Sequence, residues 1–164
     1  METAPISGAD TVVEQRRGEF LISTERARLD LEVIHGFLTN CYWAKDIPRD
    51  VVARSIEHSL CFGVYDESDR KPRQVGFARV ISDFATFAYL GDVFVLEPYR
   101  GRGLSKWLME SIVRHPALQG LRRWILMTRD AHGLYSQFGF TPLKSPERCM
   151  ELHRPDVYEI GKTT

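Results

Sequence analysis

The stretch "GDVFVLEPYRGRGLSKWLMESIVRHP", residues 91–116, restricts the fold more than any other part of the chain. It opens as a β-branched and aromatic run, breaks at Glu97-Pro98, passes two glycines flanked by arginines, and continues at helical spacing. Leu104, Trp107, Leu108 and Ile112 recur at i, i+3, i+4 and i+8, which gives that helix one apolar face. Pro116 and Gly120 stop it, and "RRWILMT" follows as a buried strand. Two strands joined through a helix pair in parallel with a right-handed crossover, so this stretch predicts a βαβ unit.

The rest of the chain must be built onto that unit. Runs at 61–65, 74–81 and 87–96 read as strands, joined by "DESDRKP" and by a short turn at Ser82-Asp83. Connections this short make the three an antiparallel meander. Before it, Leu31, Ile34, Phe37 and Leu38 predict a first helix capped by Asp30, and Val51, Val52 and Ile56 a second with Pro48 in its first turn. A short strand is expected at 20–23. After the βαβ unit come a helix with Ala131, Leu134, Tyr135 and Phe138 on one face, stopped by Gly139, and a last strand near 148–152 that closes the sheet. The predicted fold is α/β: one domain over 18–153, its mixed central sheet running from an antiparallel meander into the parallel βαβ unit, flanked by about four helices. Residues 1–17 and 154–164 are expected to be flexible tails.

Charge narrows the partners. Lys plus Arg and Asp plus Glu number 22 each, so no overall field draws in nucleic acid or an anionic membrane. Neither is expected as a partner. The three cysteines are odd in number and form no CxxC pair, and no run approaches the roughly 18 to 20 apolar residues of a membrane span. With no secretory pattern at the N-terminus, a cytoplasmic location is expected. The five histidines show neither HExxH nor a Cys/His zinc spacing, so no metal is expected.

Two readings of "RGRG" stand side by side. Glycines between a strand's end and a helix's first turn let backbone N–H groups converge where the helix dipole is positive, which suits an anion such as a phosphate. Arg100, Arg102 and Lys106 add charge there. The other reading is a tight turn with glycines for geometry alone. GxxxxGK[ST] is absent, and GxGxxG needs a glycine where Lys106 stands, so ATP, GTP and NAD loops are disfavoured.

"RGRGLS", residues 100–105, resembles the Arg/Gln-x-x-Gly-x-Gly/Ala pyrophosphate loop of the GNAT superfamily of N-acetyltransferases. "VFVLEPYRGRG" is similar to that family's fourth strand and loop, and "AHGLYSQFGF" to its Leu-Tyr-x-x-x-Gly-Phe helix. Ser105 stands where the family usually has Gly or Ala. The resemblance spans about 20–152 in element order and is most specific over 74–142. It implies an acetyl-CoA-dependent N-acyltransferase that acetylates a primary amine by direct attack in a ternary complex. Arg100, Gly101, Arg102, Gly103, Leu104 and Ser105 would cradle the pyrophosphate, and backbone groups at Phe94 and Val95 would hold the pantetheine arm. Tyr135 would protonate the departing thiolate; its alternative is a buried helix tyrosine bonded to a backbone carbonyl.

An amine acceptor must also lose a proton before it attacks. Asp92, an acid inside the apolar run "YLGDVFVL", is the leading candidate base; its alternative is a carboxylate bonded to backbone or to an arginine. Asp83, Glu57, His58 and Glu97 stay open, and His132 reads as an exposed first-turn residue. Tyr42, Trp43, Lys45, Asp46, Phe84, Phe87 and Tyr89 are expected at the acceptor side, where a small-molecule amine or a protein amine would fit. A non-catalytic acyl-CoA-binding or sensing module with the same fold is the competing reading. A homodimer is compatible with the sequence.

Overall fold

The three strand-like runs between residues 60 and 96 do build the middle of the sheet. The computed structural model describes residues 11–159. Its strands are β1 (Glu14–Arg17), β2 (Phe20–Ser23), β3 (Leu60–Asp66), β4 (Arg73–Ser82), β5 (Phe87–Val95) and β6 (Arg123–Leu126), lying in that spatial order in one sheet. Neighbours from β1 to β5 are antiparallel, and only β5 and β6 run parallel. The four helices are α1 (Leu31–Leu38), α2 (Arg49–Glu57), α3 (Leu104–Val113) and α4 (His132–Ser136). The α/β fold, the meander and the crossover are as the sequence predicts. Among the described residues no helix is long and apolar enough to cross a membrane.

Each face of the sheet carries a core. On one, α3 and α4 cover Phe62, Val64, Val80 and Leu90 with Leu104, Leu108, Met109 and Ile112. On the other, α1 and α2 cover Cys61, Phe77 and Phe94 with Ile34, Leu38, Val52 and Ile56. Asp30 caps α1, accepting from the Glu32 and Val33 amides.

Three expectations need correcting. Glu14–Arg17 is a strand and not part of a flexible tail: Gly18, at φ 59, turns the chain so that Arg17 faces Phe20. Its sequence "EQRR" hides this because an edge strand has little to bury. It is nevertheless tied to α3, with the Arg17 guanidinium 4.9 Å from the Trp107 ring centroid and the Ser111 hydroxyl donating to Gln15 Oε1 at 3.1 Å. Second, β6 is only half-buried, because among the described residues nothing pairs with its outer edge. Third, no strand forms at 148–152; a 3-10 turn over Pro146–Arg148 is followed by exposed chain without regular structure. Tyr158, inside the expected C-terminal tail, packs against the α1–α2 core.

The site is prepared where β5 loses regularity. Phe77 faces Phe94 and Arg79 faces Gly91, so β5 holds one residue more than β4 across this step. The extra residue is accommodated at Asp92, whose φ is 54. Pairing of β5 with β6 ends at Leu90 and Leu126. From Gly91 onward β5 keeps β4 on one side and leaves its other side open.

Candidate active site

At the open end of β5 the chain makes a 3-10 turn over Glu97–Tyr99 and enters the glycine loop. Gly101 and Gly103 have φ 78 and 77, a region costly for residues with a Cβ. A Cβ on either would meet nothing within 4 Å, so conformation, not crowding, requires glycine, and the space over the loop is free. Gly103 is the N-cap of α3 and supplies no side-chain cap. The first amides of α3 therefore point outward without a side-chain acceptor, which is how a helix end attracts an anion.

These groups open onto a cavity of about 360 Å³. Arg100, Gly101, Gly103, Leu104, Ser105 and Lys106 line it, together with Leu134 of α4 and Gln137 just after α4. Val95 and Tyr99 complete it. Arg100 also holds the loop to the strand, its Nε donating to the Val95 carbonyl at 3.0 Å.

Arg102 departs from expectation. Its guanidinium lies 3.8 Å from Glu19 and over the rings of Tyr99 and Phe20, at 5.5 and 5.9 Å, and it is absent from the cavity lining. Between two left-handed glycines its side chain leaves by the opposite side and pins the loop to the β1–β2 hairpin. Phe94 likewise turns its ring to the α1 side and stacks on Phe37 at 3.9 Å, leaving its backbone as its only contribution to the open side of β5.

Tyr135 sits on α4, buried, with its ring edge-on to Phe140 at 6.1 Å. Burial pushes its phenol up to about 12, and the nearby Tyr42 and Asp130 add to that. Asp92 takes the arrangement in which an arginine holds it. Its carboxylate accepts from Arg79 Nε at 2.8 Å and from Trp43 Nε1 at 3.0 Å, so both oxygens have partners. Arg79 also donates to the Ser59 hydroxyl at 3.3 Å.

The α1–α2 loop spans the split. Trp43 reaches β5 through Asp92, while the Tyr42 hydroxyl accepts from the Arg129 amide, beyond β6, at 3.1 Å. The Arg129 guanidinium lies 3.9 Å from the Tyr42 ring centroid. Tyr42 and Trp43 pack edge to face at 5.1 Å within this loop.

The other acids fall elsewhere. Asp83 binds its own turn, accepting from the amides of Ala85, Thr86 and Phe87 and from the Thr86 hydroxyl; these bonds hold its carboxyl well below the ordinary range. Glu57 and His58 line a separate cavity of about 350 Å³ with Arg26 and Cys61. Glu97 is exposed at its turn, and His132 is exposed at the start of α4. Arg79, Tyr99, Gln137 and Arg129 were not read as site residues, and no local motif marks them.

Comparison with known proteins places this geometry in a class. A solved structure from Xanthomonas campestris pv. campestris, a candidate acetyltransferase belonging to the GNAT family, is 55% identical, with 85% of this chain and 96% of that chain covered and a TM-score of 0.80. A candidate acetyltransferase of Gibberella zeae is 33% identical over 74% of this chain and 78% of its own length. An uncharacterized ycf52-like N-acetyltransferase of Prochlorococcus marinus is 30% identical over 79% of this chain and 72% of its own. The class is thus that of the acetyltransferases. Residues 57–142 match the acetyltransferase (GNAT) domain model, and the chain belongs to that family.

Proposed function

We propose that the chain transfers an acetyl group from acetyl-CoA to a primary amine by direct attack in a ternary complex. The observation that carries this is the uncapped α3 N-terminus behind two left-handed glycines, opening onto a cavity at the end of β5. A diphosphate fits there: it needs several converging N–H donors and positive charge, and Arg100 and Lys106 line the same cavity. Bound acetyl-CoA supplies the activated acyl group as a thioester.

The chain's own residues do the rest. The open side of β5 beyond Leu90 would offer backbone groups to the pantetheine arm, and amides there would stabilise a developing oxyanion. Tyr135 keeps its proton across the neutral range and donates it to the leaving sulfur. Against a thiol of ordinary pKa near 8.5, a phenol at about 12 is a poor donor. Burial raises thiols too, as Cys61 shows, pushed up to about 12 in the sheet core. A dry cleft therefore matches the two groups. Asp92 positions Trp43 and Arg79 at the acceptor side, whose aromatics suit an amine, small-molecule or protein-borne, with an apolar body.

A second reading, an acyl-CoA-binding module without catalysis, is favoured by one observation: Asp92 has both oxygens engaged and is a poor base. Thermal shift with acetyl-CoA, CoA, ATP and NAD side by side tests the shared step. Ligand at 100 times its dissociation constant adds about 2.7 kcal/mol of stability. Acetyl-CoA and CoA alone are expected to shift the midpoint, and an amine panel read by thiol release then separates enzyme from binder. The unpaired cysteines Cys41, Cys61 and Cys149 support a reducing, cytoplasmic setting.

A further inference from the structure

We propose that the cavity between the end of α2 and the β4–β5 turn is a second ligand site, for a small zwitterion of the amino-acid class with an apolar side chain. Its volume is about 350 Å³, at the lower end of the roughly 300 to 1,000 Å³ typical of small-molecule sites. That suits a small molecule and not a coenzyme. Among the described residues none lines both this cavity and the one at the glycine loop, and none of β5 lines it, so it is a place apart from the open side of that strand.

The lining brings opposite charges together. Glu57 is the last residue of α2 and His58 its C-cap, so a carboxylate stands at the negative end of the helix dipole. Arg26, on the 3-10 turn after β2, brings a guanidinium to the same cavity. Its charge is felt at the buried lining: burial raises the Cys61 thiol, and the charges of Arg79 and Arg26 act against that rise. Among the described residues neither Glu57 nor Arg26 is in an ion pair, so the two share a cavity without closing on each other. The hydroxyls there are already engaged. Ser59 donates to the Ser55 carbonyl at 2.7 Å and accepts from Arg79 at 3.3 Å, Ser82 donates to the Phe87 carbonyl at 2.6 Å, and Thr24 accepts from the Val13 amide at 2.9 Å. The charges are what a ligand meets unmatched.

Only one class of small ligand answers both charges. A simple anion suits Arg26 but is repelled by Glu57 and by the end of α2, and a simple cation does the reverse. A molecule with a carboxylate and an ammonium a few bonds apart makes charge-assisted hydrogen bonds to each. The His58 imidazole can accept from the ammonium or donate to the carboxylate. Leu60, Val80 and Phe84 leave an apolar surface for the side chain. Ser59 also anchors Arg79, whose Nε holds Asp92 of β5 at 2.8 Å. The guanidinium thus stands between the cavity and β5, and the zwitterion is a ligand held apart from the amine of the proposed reaction.

The test is calorimetric titration of the full chain, without acetyl-CoA, with L-leucine and with 4-methylpentanoate, which is leucine lacking its ammonium. Saturable leucine binding at millimolar concentrations is expected, with 4-methylpentanoate at least about tenfold weaker. No leucine binding, or equal binding of the two, overturns the proposal. Arg26→Gln and Glu57→Gln change exposed side chains outside any ion pair, so the fold by circular dichroism should hold while each weakens leucine at least about tenfold. Leucine binding that survives both changes lies elsewhere on the molecule and removes this cavity from the argument. Saturating CoA should leave the leucine affinity unchanged, because the two cavities share no lining residue; competition between them would put leucine at the glycine loop and overturn the proposal. No arm reads turnover, so failure of the acetyl-transfer reading and failure of this site are separate results.

Discussion

Tyr135 and Asp92 were both read as catalytic, and their surroundings part them. A buried phenol raised to about 12 stays protonated over the whole range in which an alkylamine becomes reactive. The rate of thiol release should therefore climb with pH as the amine deprotonates, with no falling limb from Tyr135 below about pH 11. Tyr135→Phe should lower that rate by roughly 10²-fold or more while leaving the acetyl-CoA midpoint shift in place. Loss of the shift instead would make Tyr135 a binding residue. Asp92, held by Arg79 and Trp43, should act through KM. Asp92→Asn removes the counter-charge of a mostly buried guanidinium, costs roughly 2–3 kcal/mol in urea unfolding, and raises KM for the amine more than it lowers kcat. A kcat fall of 10²-fold or more at unchanged KM would restore Asp92 as the base. The sequence showed that an acid inside "YLGDVFVL" needed a reason, but its partners come from β4 and from the α1–α2 loop. No local pattern encodes contacts at such separations.

At the level of elements, glycine positions separate two demands that look alike in the sequence. Gly101 and Gly103 need a positive φ and have open space above them, so alanine there should cost about 1–2 kcal/mol of stability through strain, with the loop kept. Gly103→Glu goes further, putting bulk and a negative charge beside the uncapped end of α3, and should abolish the acetyl-CoA shift. Gly63 lies in β3, where an added Cβ would fall 2.2 Å from Tyr65 Oη. Gly63→Ala must displace that buried ring and should lower the thermal midpoint more than either loop alanine, though it is remote from the loop. Elements with regular burial, such as α3 with one apolar face and the meander with apolar runs buried on both faces, were legible because their sequence states that burial directly. β1 was not, since "EQRR" has no apolar phase and exists as a strand only through its pairing with β2. The segment at 149–152 has a strand's alternation, yet it follows the turn at Pro146–Arg148 without joining the sheet. The basic loop was legible as a unit, but the outward turn of Arg102 depends on Glu19, Tyr99 and Phe20.

For the whole molecule, the junction of α3 with the sheet sets a response to pH. His115 is 1% exposed, its Nδ1 accepts from the Ala117 amide, its ring is edge-on to Phe62 at 5.5 Å, and among the described residues its Nε2 has no partner. Burial lowers its pKa below the ordinary histidine value, because the charged ring has lost water without gaining an acceptor. The unfolded chain therefore binds this proton first as pH falls. The sign follows: stability is full above about pH 6.5 and declines below it, by at most about 1.4 kcal/mol per pH unit for one proton. Asp66 and Asp83, both lowered, contribute a loss only nearer the carboxylate range, so the window from 6.5 to about 5 isolates His115 from them. Urea midpoints at pH 7.5 and 5.5 measure it, at one fixed protein concentration. His115→Phe keeps a ring against Phe62 and removes the titration, so it should flatten the slope while changing the midpoint at pH 7.5 little. If the slope survived in that variant, the acid sensitivity would belong to another group and the neutral, unpartnered His115 would be irrelevant to it.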